Sequence, residues 1–444
     1  MSQKPTNLRI FIIIWLGQFI STIGSSITSF AIEIWAWEIT QKATSLTLVG
    51  FFGLLPSMII TPISGVIVDK FNRKFLMMLG DTVAVLTTIV LLFLYQNHQL
   101  QIWHLYVIAA INGTFNQLQY LAYSASISLL VPKQHYTRVS SMDFISSYGS
   151  NILAAPLAGY LYKIIGLTGI AGIDMITFLL AIASILLVKI PQISNTEREN
   201  TNTENIWQQL IFGLQYILAR RSLLALLVVN ILFWLPHDIG DSLYVPMILS
   251  RTGNNTVVLG SLSAAAGLGG VMGAIIVSTW GGFQRKIKGV LLGMMGAGLS
   301  KIIFGLGTTP WVWIPAQFCS SLNFPLSGSS DNAIWLAKVA PNVQGRVFAA
   351  RSLVLQIASA VAYLVAGPLA DRVFAPAFNQ GGSLVGIFGG MFGKSAGAGI
   401  AMLYVICAVC MLLVGLVGFY IPQLLHVERI VPDHDAEYPE STRN

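Results

Sequence analysis

Charge is what this chain has least of. Of its 444 residues only 10% are Asp, Glu, Lys or Arg, while 55% are hydrophobic. A soluble domain carries about 25% charged residues, so a water-solvated globule is excluded and a lipid-solvated chain is indicated. Cysteine is scarce as well. Cys319, Cys407 and Cys410 all lie in apolar runs, which leaves no disulfide framework and no metal-ligand cluster. No nucleophile and base recur at a catalytic spacing, so no enzyme is expected. The stretch Gly389 to Ser395 is one residue short of a phosphate loop and follows no strand, which excludes ATP hydrolysis. His237, Asp238 and Asp241 do not have a metal spacing. No cofactor and no metal are expected.

Long apolar runs are what the chain has most of. A bilayer span needs about 20 apolar residues. Runs of that kind lie near residues 9–36, 44–69, 75–95, 103–131, 139–163 and 169–190, then near 222–250, 256–280, 289–307, 311–338, 346–370 and 398–421. The run after Arg9 is too long for a signal-peptide core and is read as the first span. This predicts an all-α membrane protein with about 12 transmembrane helices in two pseudo-symmetric six-helix bundles. The expected domains are 1–190, a cytoplasmic linker at 191–221, 222–430, and an acidic cytoplasmic tail at 431–444. Within the linker, residues 194–205 are polar and 206–219 read as an amphipathic helix.

The net charge of +7 belongs to orientation rather than to nucleic acid. With both termini in the cytoplasm, 19 of the 25 lysines and arginines lie on the cytoplasmic side and six outside. That bias predicts a multi-pass protein of the inner membrane with this orientation. Lys301, one of the six, is expected to snorkel outward from the ninth span.

The two sets of spans repeat. Pro132 with Arg138 and Val139 is echoed by Pro341 with Arg346 and Val347, and the Ala155-Pro156-Leu157-Ala158 stretch by Gly367-Pro368-Leu369-Ala370. Asn72-Arg73-Lys74 is echoed by Gln284-Arg285-Lys286. The spacing is roughly 210 residues throughout, as in transporters built from parallel repeats. After the second span the chain reads Gly65-Val-Ile-Val-Asp69-Lys70-Phe-Asn72-Arg73-Lys74. This resembles the G-x-x-x-D-R/K-x-G-R-R/K signature of the major facilitator superfamily. Trp37-Glu38-Ile39-Thr40, Asp81, Leu130-Val131-Pro132 and Ile173-Asp174 resemble its drug:proton antiporter branch, which includes macrolide-efflux and enterobactin-exporter proteins. Two positions depart from the pattern. Asn72 replaces a glycine, as an Asn in a left-handed turn can, and Gly281 stands where a second Asp69 would be. The fourth span also lacks the arginine that one branch carries.

The resemblance implies a cytoplasmic gate. Gly65 permits close helix approach, and Asp69 faces the N-terminus of the eleventh span near Arg346 and Arg351. Arg73 and Lys74 belong to the same gate. Asp143 and Arg351, at repeat-equivalent positions, are expected to act between the halves. Asp81 and Asp174 are expected to brace helices in the first half. The resemblance also implies that spans one, four, seven and ten line a cavity. Asn116, Gln117, Gln119, Phe233 and Trp234 are then substrate-cavity residues.

Ionisable groups at membrane depth are costly and usually functional. Asp238 and Asp241 lie about 24–28 Å along their helix by its rise, three residues apart on one face. They are the leading proton-coupling residues, with Glu33 and Asp331 in reserve. Pro236 is expected to kink or break the helix beside them. The expected function is proton-coupled efflux of a bulky amphiphile such as a drug, siderophore or secondary metabolite, by a monomer in contact with membrane lipid. The alternatives are an importer of the same fold and a lipid or lysophospholipid flippase.

Overall fold

A computed structural model describes residues 8–131, 136–188, 206–378, 382–393 and 396–430. Among them there are helices and turns but no strand, as expected where lipid offers no partner to an open backbone. Nine helices among the described residues are long and apolar enough to cross a membrane. Two more, α4 (Ile102–Leu130) and α11 (Pro310–Lys338), have the length but not the apolarity. They carry the amides and hydroxyls of Asn112, Asn116, Gln117 and Gln119, and of Gln317, Ser320, Asn323 and Ser330. The helix α5 (Tyr136–Leu186) holds both the fifth and the sixth span. It breaks at Gly166, whose φ of 61° and ψ of −171° lie in a region that side chains exclude. The described residues therefore hold twelve spanning segments in an all-α fold.

The chain divides into two compact units. The first comprises Met1–Gln41, Leu48–Thr203 and Leu259–Ala264. In it α1 (Leu8–Thr40) packs along α5, and α3 (Arg73–Gln96) along α4. Phe11, Ile14, Leu76, Met77, Ala122 and Ile185 form its core. Asn72 is extended, with φ −66° and ψ 118°, so the left-handed turn expected there is not formed. Its side-chain carbonyl instead caps α3, accepting from the backbone of Lys74 at 2.9 Å and Phe75 at 3.4 Å. An N-terminal amide satisfied in this way stabilises a helix by about 1 kcal/mol. Arg73 and Lys74 reach helix C-terminal carbonyls. Arg73 donates to Ala125 at 2.6 Å, and Lys74 to Leu186 at 3.1 Å and Val188 at 2.7 Å.

The second unit comprises Lys42–Thr47, Glu204–Val258 and Ala265–Asn444. Its core gathers Leu223, Leu226, Phe233, Val290, Met294, Trp335 and Met411. The helix α6 (Ile206–Ala219), read above as amphipathic, packs on α12 (Pro341–Leu369). There the guanidinium of Arg346 sits 5.4 Å from the ring centre of Phe212. The seventh span, α7 (Arg221–Ser242), runs through Pro236 without ending, so the proline does not break it. Past α12 the chain forms a π-helical segment, Ala370–Phe374. Asp371 in that segment accepts from the backbone of Ala43 at 3.0 Å and Thr44 at 2.8 Å, and from the Thr44 hydroxyl at 2.6 Å. It thereby caps the first turn of α2 (Ala43–Lys70), a turn that belongs to this unit. The carboxylate of Glu428 accepts from the Lys286 backbone at 3.0 Å, at the start of α10 (Lys286–Leu306). Both acids sit where the helix dipole favours negative charge.

Candidate functional site

The first unit holds an open cavity of about 640 Å³, lined by residues of α1, α3, α4 and α5. Glu33, Asn116 and Gln119, three of the residues singled out in the sequence, are on its wall. Asp81 and Asp174 are there too, each only 2% exposed. The amide of Gln119 donates to Asp81 at 2.8 Å and that of Gln18 at 3.1 Å, while Gln119 also donates to the Gln18 carbonyl at 2.9 Å. Ser25 donates to Asp174 at 3.4 Å. Asp81 thus joins α1, α3 and α4, and Asp174 joins α1 and α5, while both border the cavity. Helix bracing, expected of these two acids, is one of two things they do. The other was signalled by their depth in apolar spans. Gln117 lies beside a second hollow of about 420 Å³ with Asn116, Tyr120 and Gly53. A side chain at Gly113 would collide with the Gly53 carbonyl there, so glycine is what lets α4 approach α2 so closely.

The second unit arranges its charges differently. Asp331, on α11, forms an ion pair with Arg351 of α12 and accepts from the Asn230 amide at 2.9 Å. The Arg351 guanidinium lies 4.9 Å from the ring centre of Trp335. A reserve proton carrier and a gate residue are therefore bound to each other within one unit. Lys301 does not snorkel outward. It is 4% exposed and donates to the Tyr404 hydroxyl at 3.2 Å. Asp238 lies 3.1 Å from His237 Nδ1 and accepts from Ser359, while Asp241 is exposed. Phe233 is fully buried in the core. Trp234, half-buried, stacks on Phe324 at 5.8 Å with His237 at its edge. No metal-holding group of three His, Cys, Asp or Glu occurs among the described residues. The surroundings of Gly65 and the side chains of Asp69 and Asp143 are outside what the structure describes, as are residues 189–205 and 431–444.

The family description "Major Facilitator Superfamily" matches residues 14–363. The chain belongs to the major facilitator superfamily. As a member it is a multi-pass membrane transporter of small molecules and not an enzyme. Among its relatives is macrolide efflux protein A of Streptococcus pyogenes, 26% identical over 377 residues, which are 84% of this chain and 92% of that protein. Macrolide efflux protein A of Enterococcus faecalis is 24% identical over 319 residues, 71% of this chain and 96% of that one. Among solved structures, a bacterial homologue of the human lysosomal transporter Spinster, inward-facing and unoccupied, superposes with a TM-score of 0.68. It is 13% identical, over 97% of this chain and 98% of that one. A bacterial homologue of the iron transporter ferroportin gives a TM-score of 0.64 at 14% identity, over 93% and 100%. At such identities these structures share the fold alone.

Proposed function

We propose that this transporter exports a bulky amphiphilic small molecule across the inner membrane by alternating access, in exchange for protons. The observation that carries the reading is the cavity of about 640 Å³ in the first unit, with acids, amides and aromatic rings on its wall. Its volume is that of a site for a drug-sized ligand, about 300–1,000 Å³. The names of the macrolide efflux relatives support the outward direction and the substrate class. Asp238 and Asp241 are the proposed proton carriers, followed by Glu33. Asp331 follows only if its pair with Arg351 opens. Asp69, with Arg346 nearby, is the proposed cytoplasmic gate in a monomer with both termini inside.

Everted membrane vesicles with an imposed pH gradient, acid inside, are the test. They should accumulate a radiolabelled macrolide, and a protonophore should release it. Accumulation in right-side-out vesicles instead means an importer. Accumulation that survives the protonophore removes the proton from the mechanism.

A further inference from the structure

The cavity of the first unit has a one-sided charge. Asp81 and Asp174 border it with Glu33, and among the described residues no Lys, Arg or His lines it. The hydrogen bonds that hold Asp81 come from Gln18 and Gln119, and Ser25 serves Asp174. Neutral donors of this kind satisfy carboxyl oxygens without cancelling their charge. A concave, low-dielectric wall with acids of one sign concentrates negative potential inside it. The aromatic lining has the same preference. Trp15, Phe30, Phe115, Tyr120, Tyr123 and Phe178 all border the space, and ring faces attract cations. One donor there also lacks a partner. The Trp15 indole nitrogen is buried without a hydrogen bond. Buried polar groups are ordinarily paired, so it is a group that an occupant of the cavity completes.

We infer that this cavity takes organic cations: bulky amphiphiles with a tertiary or quaternary ammonium or a phosphonium centre, with Asp81 and Asp174 as counter-charges and the rings around them as a cage. The inference rests on reading the cavity as the transport site, and it narrows that reading. Acids and ring faces repel anions, so a polyanionic siderophore is not the cargo.

Two probes of the same shape and opposite charge test it: tetraphenylphosphonium and tetraphenylborate, binding to the full-length protein in nanodiscs at constant neutral pH. The wild type should prefer the phosphonium by at least about tenfold. The double variant Asp81→Asn, Asp174→Asn should lose about tenfold in phosphonium affinity and gain affinity for the borate. That gain cannot come from a misfolded protein. Equal binding of both probes, or a double variant that weakens both alike, overturns cation selection and leaves amphiphile transport standing. Binding of neither probe to folded wild type overturns the inference together with the reading of the cavity beneath it.

Discussion

The two units bury acids in opposite ways. In the first, Asp81 and Asp174 rest on neutral amides and hydroxyls beside a cavity. In the second, Asp331 is paired with Arg351, and the buried Lys301 donates to the Tyr404 hydroxyl. A paired charge contributes little field beyond its partner. An unneutralised one on a cavity wall acts on whatever enters. Related sequence repeats thus hold charge differently: an acid paired with an arginine in the second unit, acids on neutral donors beside a cavity in the first. Where the units are built alike, as at the helix caps of Asn72 and Asn255, they should respond alike to substitution.

The largest expected effect is functional. Asp238→Asn with Asp241→Asn should abolish uphill transport driven by a pH gradient in proteoliposomes while leaving downhill exchange measurable. Wild-type accumulation by this variant moves the search for the proton carrier to Glu33 in the first unit and Asp331 in the second. Next comes stability. Arg351→Met strands a buried carboxylate and should cost about 3–5 kcal/mol, with most of it recovered when Asp331→Leu is added. Asp81→Asn keeps one of the two hydrogen bonds that the carboxylate accepts and strands no charge, and should cost about 1 kcal/mol. Thermal unfolding in nanodiscs measures both, and equal losses would erase the contrast between paired and amide-held acids.

Gly166→Ala puts a side chain where the backbone of α5 excludes one, and should cost about 1–3 kcal/mol. A loss within experimental error would mean that the fifth and sixth spans can join without that bend. The smallest effects belong to the matched caps. Asn72→Ala and Asn255→Ala should each cost about 1 kcal/mol, the second because Asn255 accepts from Val257 at 3.1 Å and Val258 at 3.3 Å. A cost of several kcal/mol at Asn72 alone would give it a role beyond capping.

By itself the sequence determined the helices, the count of spans and the family. Lipid demands long apolar runs, each satisfying its own backbone, and such runs are visible without coordinates. The signature around Asp69 and the internal repeat are local strings that need no folding to be read. Glu33, Asn116 and Gln119 were also legible as cavity residues, because polar groups in spans that line a cavity are rarely idle. Tertiary structure decided which charges meet. Gln18 and Asp81 are 63 residues apart, and Lys301 and Tyr404 are 103 apart. Composition says only that such groups are buried, whereas packing chooses between an amide, a counter-ion and an open cavity as the neighbour. The same choice placed Phe233 in the core although its neighbour Trp234 is half-buried. Each residue step turns a helix by about 100°, and only the partners around that helix settle which face is filled and which is left for a ligand.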